Sequence, residues 1–240
     1  MRFLTAVLLC ASLGLALGCA TTSQAAPAVG AEPSGRSPDY SEFVGEPTRV
    51  VAKGPERKPL VLTLDAHVPA VSYDVRGTLK QPPRFEGRLD VPLGRAWKYI
   101  VIHHSAGDAG SEAAFDRYHR VKRHWQGVGY DFVIGNGNGS PDGKVEVTFR
   151  WEDQITGAHA RSAGNEYNRY GIGICLVGNF EKDYPTARQM EALVGLVNYL
   201  QGRCGIPTRN IMGHREVPDA STKCPGQNFP WYEFLSLLEH

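Results

Sequence analysis

The stretch Lys98-Tyr-Ile-Val-Ile-His-His104 decides the fold of this 240-residue chain. It is a nearly continuous apolar run with β-branched residues, which is typical of a strand that lies inside a sheet and is covered on both faces. Side chains alternate across a strand, so His103 and His104 point to opposite faces, and only one of them can serve a site on a given face. Both faces of this strand are apolar, and the pattern therefore leaves open which histidine that is.

The elements that follow this strand alternate between helical and extended patterns. Residues 111–124 predict a helix that turns four side chains toward one face: Ala114, Phe115, Tyr118 and Val121. Residues 130–135 and 144–149 are β-rich runs joined by Asn-Gly and Asp-Gly dipeptides, which indicates a hairpin with a long loop. Residues 171–178 predict a second buried strand.

The last part of the chain continues this alternation. Residues 186–189 form a capping box in front of a helical pattern, and Gly205 is its natural end. Residues 210–214 predict a short strand that delivers His214 to a loop, and residues 231–238 predict a closing helix. Strands that alternate with helices predict an α/β domain with a mixed central sheet flanked by helices.

The N-terminus has the pattern of an export signal. In residues 1–19 a positive charge precedes the apolar run 3–17, which is too short to span a membrane. The run ends in Leu-Gly-Cys19, which resembles the lipobox of bacterial lipoproteins, and we expect Cys19 to be lipidated. The alternative is a plain signal peptide cut after Ala25. We expect an exported protein, either an envelope lipoprotein of the periplasm or outer membrane, held to the membrane by its lipid anchor alone, or an otherwise secreted one.

Two segments separate the signal from the main domain. Residues 20–47 are rich in Ala, Pro, Ser, Thr and Gly, and we interpret them as a flexible tether. Residues 48–95 contain short apolar runs broken by prolines and charges, and we interpret them as an extended segment of unknown role that packs on the main domain. The main domain is then residues 96–240.

The charge balance excludes one class of function. The formal net charge is +1, and no long run of lysine and arginine is present. The basic footprint of a nucleic-acid-binding protein is therefore missing. We expect a monomer without a nucleic-acid partner.

The loop of residues 213–226, GHREVPDASTKCPG, holds residue types that bind zinc. A catalytic zinc site has three protein ligands of the N, O or S type and one open position. His214 and Cys224 lie at two points of this loop, and the third ligand is expected from the end of the 98–104 strand. Cys175 and Cys204 are the remaining cysteines of the domain, and whether they form a disulfide is left open.

From residue 97 onward the chain resembles a known family in five segments that occur in order. These are the strand VIHHSAG, the run HWQGVGYDFVIG, the tripeptide GAH, the run YNRYGIGICLVGNF, and the pair GHREV and TKCPG. They resemble the zinc-dependent N-acetylmuramoyl-L-alanine amidases, which include the phage-lysozyme-type amidases and the peptidoglycan recognition proteins. The resemblance implies the fold of that family for residues 96–240.

The resemblance also implies roles for single residues. His103, His214 and Cys224 match the zinc ligands, and Tyr130 matches a catalytic residue, although a half-buried strand tyrosine is the alternative. Zn²⁺ polarises an amide carbonyl and lowers the pKa of bound water to about 7, which suits hydrolysis.

Three further positions are candidates for the catalytic or the substrate-binding part of the site. Thr222 stands two residues before the cysteine, as in recognition proteins, and could donate to an oxyanion, whereas Lys223 is displaced by one position. His159 and Asn168 match positions that border the substrate groove. A structural histidine and a turn residue are their respective alternatives.

The function implied is zinc-dependent hydrolysis of the bond between N-acetylmuramic acid and L-alanine of peptidoglycan, acting on the wall or on muropeptides. The alternative is a peptidoglycan-binding protein without activity, because recognition proteins of that kind share the fold. Those proteins typically lack the cysteine ligand, so Cys224 favours the enzyme.

Overall fold

The computed structural model describes residue 40, residues 43–44 and residues 84–238. The predicted signal peptide with Cys19, most of the predicted tether and residues 48–83 lie outside the described residues.

In the described part of the chain, six strands form one mixed sheet in the order β1-β4-β3-β5-β2-β6. Their bounds are β1 Arg84–Glu86, β2 Tyr99–His104, β3 Phe132–Ile134, β4 Lys144–Val147, β5 Gly171–Leu176 and β6 Ile211–Gly213. Strands β3, β5, β2 and β6 are parallel, β4 is antiparallel to β3, and β1 is parallel to β4. The predicted hairpin, the mixed sheet and the internal position of β2 are confirmed.

Five α-helices accompany this sheet in the described ranges. They are α1 Glu112–Arg123, α2 Phe149–Glu152, α3 Glu166–Tyr170, α4 Ala187–Cys204 and α5 Trp231–Ser236. The predicted capping box starts α4, and Gly205 ends it in the left-handed conformation. None of the helices in the described ranges has the length and apolarity needed to cross a membrane.

The two faces of the sheet carry different clusters. Ile100 and Ile102 of β2 and the isoleucines of β5 pack with α4 and α5 in the main core. The alternate positions of the same strands, among them His103 and Cys175, point to the other face, where α1 packs. The strand alternation therefore separates the main apolar core from the face that carries His103 and Cys175.

The inward stripe of α1 differs from the predicted one. Ala114, Phe115 and His119 are buried, whereas Val121 is 54% exposed, so its predicted inward position is wrong. The stripe runs from Phe115 to His119 at the i, i+4 spacing of one helix face. Val121 lies two turns beyond Ala114, near the C-terminal end of α1. No neighbouring element in the described part of the chain covers the helix there enough to bury this side chain.

The described residues before residue 96 belong to the packed domain. Strand β1 extends the sheet at its β4 edge, and Val91 lies in the main core. Tyr40 is 4% exposed and packs its ring 4.4 Å from that of Phe115. The composition of residues 20–47 predicted a tether without packing, and this is wrong at Tyr40 because one aromatic side chain offers enough apolar area to be buried on α1.

The capping box provides a test of how local sequence stabilises this fold. Thr186 accepts the N–H of Gln189 through Oγ1, and the Gln189 side chain accepts the N–H of Thr186. We expect Thr186→Ala to lower the free energy of unfolding by about 1–2 kcal/mol, because the first turn of α4 loses its side-chain partner. Urea unfolding measures this change. An exposed control, Ser221→Ala, should change stability by less than about 0.5 kcal/mol.

Candidate metal centre

Two neighbouring parallel strands deliver two histidines to the same edge of the sheet. Residue Ile102 of β2 is in register with Gly213 of β6, so His103 and His214 follow side by side. Their rings lie 4.6 Å apart between centroids. The strand register alone therefore brings together residues that are more than a hundred positions apart in the chain.

The loop after β6 brings a cysteine to the same place. The backbone N–H of Arg215 donates to the carbonyl oxygen of Cys224 at 2.8 Å, which ties the two ends of the loop together. The N–H of His104 donates to Cys224 Sγ at 3.3 Å. Gly213 has no room for a side chain, because a Cβ there would come within 2.8 Å of Pro225 and Trp231. This close approach holds the loop against the strand ends.

His103, His214 and Cys224 form a group that fits a metal ion. One ligand atom from each lies within 4.8 Å of the others, and His103 and Cys224 are buried. His103 Nδ1 is 3.7 Å from Cys224 Sγ. Two ligands at the tetrahedral angle, at the usual Zn–N and Zn–S lengths of about 2.0 and 2.3 Å, lie about 3.5 Å apart. The donor set and its spacing therefore suit Zn²⁺.

Burial keeps these imidazoles neutral. The pKa of His103 lies well below its usual value of 6.5, first because of burial and then because of His214 and His159 nearby. Burial, followed by the nearby His104, lowers the pKa of His214 to about 4. A neutral imidazole offers a lone pair, which is the form that binds a metal. The site is thus able to bind a metal at neutral pH without first losing a proton from histidine.

The structure decides which strand histidine serves the site. The ring of His103 points toward His214 and Cys224. The ring of His104 lies 5.9 Å from that of Phe180, and its Nδ1 accepts the N–H of Phe180 at 3.0 Å. His104 therefore contributes its backbone N–H to Cys224 and keeps its ring on the other side of the strand.

Tyr130 lies beside the group, two residues before the start of β3. Its ring centroid is 5.2 Å from that of His103, and the residue is half-buried. The pKa of the Cys175 thiol is raised well above its usual value by burial, and a hydrogen bond from the Tyr130 side chain acts in the opposite direction. None of the three described cysteines, Cys175, Cys204 and Cys224, is in a disulfide, so the Cys175–Cys204 pairing left open by the sequence is absent.

Thr222 and Lys223 take different directions next to Cys224. Thr222 is exposed, and its Oγ1 accepts the N–H of Cys224 at 3.1 Å, which leaves the hydroxyl proton available to a further acceptor. The Lys223 ammonium lies 3.4 Å from a carboxylate oxygen of Glu181. The structure thus gives Thr222 a place beside the cysteine and pairs Lys223 with an acid outside the group.

His159 and Asn168 lie beneath the group, not along an open groove. The His159 side chain is fully buried, with Nδ1 3.0 Å from His103 Nε2. Asn168 is 1% exposed, and its Oδ1 accepts the N–H groups of His159 and Ala160. The structure does not support the predicted contact of either side chain with substrate, because internal hydrogen bonds already use their polar atoms.

Sequence reasoning missed a buried acid behind His159. Asp131 is fully buried, its Oδ2 lies 4.0 Å from His159 Nε2, and its Oδ1 has no hydrogen-bond partner among the described residues. Burial raises its pKa to about 7, partly offset by the hydrogen bond from the N–H of Gly173. Gly173, inside the buried strand β5, signals a close approach on this side of the sheet, but the side chain that approaches it is His159 and not Asp131.

His119 gives a testable pH dependence outside the group. His119 is buried, and burial, followed by Arg123 and Arg150, lowers its pKa to about 4. Because the folded pKa lies below the unfolded value of about 6.5, stability is retained above pH 6.5 and lost as the pH falls toward 4. We expect His119→Gln to make the free energy of unfolding less dependent on pH in this range, by up to about 1.4 kcal/mol per pH unit. Urea unfolding of the metal-free protein between pH 4 and 7 measures it.

The matched control for this experiment is His124→Gln. His124 is exposed and caps the C-terminal end of α1. An equal change of slope in both variants would show that His119 is not the group that takes up the proton.

The fold and the His-His-Cys group together define an α/β domain with a candidate metal site at the carboxyl ends of its central strands. A family model described as N-acetylmuramoyl-L-alanine amidase matches residues 93–227, which is more than half of the chain. The chain belongs to this N-acetylmuramoyl-L-alanine amidase family. The resemblance found in the sequence and the fold that it implied are confirmed.

The relatives include two kinds of named protein. The chain is 35% identical over 150 residues to peptidoglycan-recognition protein SC2 of Drosophila melanogaster. The alignment covers 59% of this chain and 74% of that protein. It is 29% identical over 150 residues to an N-acetylmuramoyl-L-alanine amidase of Sus scrofa, covering 58% of this chain and 22% of that protein.

A solved structure supports the same placement. The N-acetylmuramoyl-L-alanine amidase LysC from Clostridium intestinale URNW matches with a TM-score of 0.52 and 29% identity, covering 64% of this chain and 94% of that one. The relatives thus carry names of recognition proteins and of amidases, and membership alone does not decide between binding and cleavage.

Proposed function

We propose that this protein is a zinc-dependent amidase that hydrolyses the amide bond between N-acetylmuramic acid and L-alanine in peptidoglycan stem peptides. The observation that carries the proposal is the group of His103, His214 and Cys224, whose ligand atoms lie within 4.8 Å of one another. A cysteine in that group favours the enzyme over a binding protein, since binding alone has no need for a metal with a thiolate ligand.

A zinc ion held by these three residues supplies a Lewis acid, which polarises a carbonyl and lowers the pKa of water. The residues of the chain hold and prepare this position. His103 and His214 offer neutral nitrogens, and the N–H of His104 compensates negative charge on Cys224 Sγ.

Two residues that carry a hydroxyl group lie next to members of the His-His-Cys group. Tyr130 lies beside His103 and can hydrogen-bond either the attacking water or the oxygen of the scissile amide. Thr222 lies beside Cys224 with its hydroxyl proton available, and it can donate to the same amide oxygen as negative charge develops there. In this assignment the side chains of His159 and Asn168 hold the site and do not touch the substrate.

The proposed substrate is peptidoglycan or its released muropeptides, in line with the names of the relatives. We further propose that the protein acts as a monomer outside the cytoplasm, anchored by a lipid at Cys19. Membrane fractionation of a Cys19→Ser variant tests the anchor. If the variant stays with membranes as the unaltered protein does, lipidation at Cys19 is wrong.

The test of the reaction is mass spectrometry of muropeptides and purified peptidoglycan after incubation with the protein. We expect free stem peptides that begin with L-alanine. A chelator should abolish their release, and Zn²⁺ added in excess of the chelator should restore it. Protein unfolded by heat is the negative control.

Three outcomes would change the assignment. Intact substrate together with measurable peptidoglycan binding supports the recognition role carried by the name of the Drosophila relative. Cleavage within the stem peptide makes the protein a peptidase of this fold. Cleavage at L-alanine that persists in the thoroughly chelated protein contradicts the zinc requirement.

A further inference from the structure

We propose that His159 is a positioning residue, which holds His103 in the tautomer that leaves its Nδ1 free to bind a metal. The inference rests on the proposed function, because it concerns the same donor group. It assigns His159 a task that differs from the substrate contact expected from the sequence. The observation behind it is a chain of two buried imidazoles that ends on backbone and carboxyl oxygens.

The first link of this chain joins the two histidines. His103 Nε2 lies 3.0 Å from His159 Nδ1, and the two rings meet edge to face at 84°. In a hydrogen bond between two ring nitrogens, one carries the proton and the other accepts it. The other nitrogen of His103, Nδ1, faces Cys224 Sγ at 3.7 Å. The position of one proton therefore decides whether His103 can bind a metal.

The far end of the chain decides where that proton lies. His159 Nε2 is 3.2 Å from the carbonyl oxygen of Gly171, which can only accept. The nearby Asp131 Oδ2, at 4.0 Å, already accepts the N–H of Gly173 at 2.8 Å. His159 Nε2 must therefore carry the proton of this neutral ring, and His159 Nδ1 is left as an acceptor. His103 then carries its proton on Nε2, and its Nδ1 is free.

Two glycines make room for the ring of His159. A Cβ on Gly173 would come within 2.5 Å of His159 Cγ, and a Cβ on Gly157 within 2.6 Å of His159 Cδ2. Real Cβ contacts are never that short, so both positions must be glycine while the ring stays in place. Glycine weakens a strand, and its presence inside β5 is explained by the approach of His159.

The backbone on either side of His159 is fixed as well. Asn168 Oδ1 accepts the N–H of His159 at 2.7 Å and that of Ala160 at 2.8 Å. The N–H of Gly157 donates to the backbone oxygen of Asn168. The backbone of His159 is thus fixed by Asn168, its ring packs against Gly157 and Gly173, and both ring nitrogens have a partner. This is expected of a residue that orients a metal ligand.

The direct test is ¹⁵N NMR of histidine side chains in the metal-free protein, which reads the tautomer of each ring. We expect Nε2–H and an unprotonated Nδ1 for both His103 and His159. We also expect a scalar coupling between His103 Nε2 and His159 Nδ1 across the hydrogen bond. A proton on His103 Nδ1 in the unaltered protein would overturn the inference, and no variant is needed for this measurement.

Variants then separate positioning from packing. His159→Leu keeps much of the volume but removes the acceptor, and we expect a 10–100-fold weaker affinity for Zn²⁺ in a chelator competition. His159→Gln can accept from His103 with Oε1 and donate to Gly171 with its amide, so it should recover most of that affinity. Gly173→Ala leaves His159 chemically unchanged but displaces its ring, and we expect it to weaken Zn²⁺ binding as the leucine variant does.

The outcomes are distinguishable from those of the proposed function. Equal Zn²⁺ affinity in the leucine variant and the unaltered protein, or equal losses in the leucine and glutamine variants, would make His159 a packing residue only. If His159→Leu does not fold, the tautomer measurement and the glutamine variant still decide. A protein with the expected tautomers that leaves muropeptides intact would disprove the amidase and leave the inference standing.

Discussion

Cys224→Ser is expected to remove most of the zinc and most of the amidase activity. A serine hydroxyl does not lose its proton near neutral pH as a thiol does next to a metal, so the group is left with two ligands. The metal contributes several kcal/mol of transition-state stabilisation, and 1.36 kcal/mol is a factor of ten in rate. We therefore expect kcat/KM to fall by about a thousandfold or more. Bound zinc is measured by elemental analysis and activity by release of stem peptides.

Cys204→Ser is the matched control for this substitution. Cys204 is a free, half-buried thiol at the end of α4, outside the metal group. Its replacement should leave zinc content and kcat/KM unchanged within about twofold, because the side chain contacts the core and no ligand. A Cys224→Ser protein that is fully active without zinc would contradict the assignment of the metal centre and of the reaction.

Local patterns of sequence predicted most of the architecture of the domain. The apolar run of β2, the capping box at Thr186 and the end of α4 at Gly205 each have a physical cause confined to a few neighbouring residues. Val121 shows the limit of such patterns. Its spacing suits the inner face of α1, but burial depends on what the rest of the fold places against that part of the helix, which periodicity does not contain.

The residue types of the candidate site were predictable from the sequence, but which side chains contact one another was not. His214 and Cys224 stand in one loop of unusual composition, whereas the choice between His103 and His104 required the register of β2 with β6. The role of His159 could not be read from its own surroundings in the sequence. It follows from the contact of His159 Nδ1 with His103 Nε2, 56 positions earlier in the chain, and only the folded domain brings these two segments together.

Tyr130→Phe separates the chemistry of the site from its metal. The substitution removes the hydroxyl and keeps the ring, whose centroid lies 5.2 Å from that of His103 and which packs on Phe115. Loss of a single hydrogen-bond donor to a developing oxyanion costs about 100-fold to 1,000-fold in kcat. We expect a loss of that size, with KM and zinc content within about twofold of the unaltered protein, because Tyr130 is not one of the three residues of the donor group.

Tyr118→Phe is the control, since Tyr118 is a half-buried tyrosine packed against the same cluster. Its hydroxyl has no place in the proposed reaction, so its kcat should stay within about twofold of that of the unaltered protein. If Tyr130→Phe keeps full kcat, the hydroxyl takes no part in the reaction, and Tyr130 is a packing residue. If it loses zinc together with kcat, Tyr130 supports the position of His103 and the chemical role passes to Thr222. Only a lower kcat at unchanged zinc content and KM agrees with a hydroxyl that acts on the reacting amide.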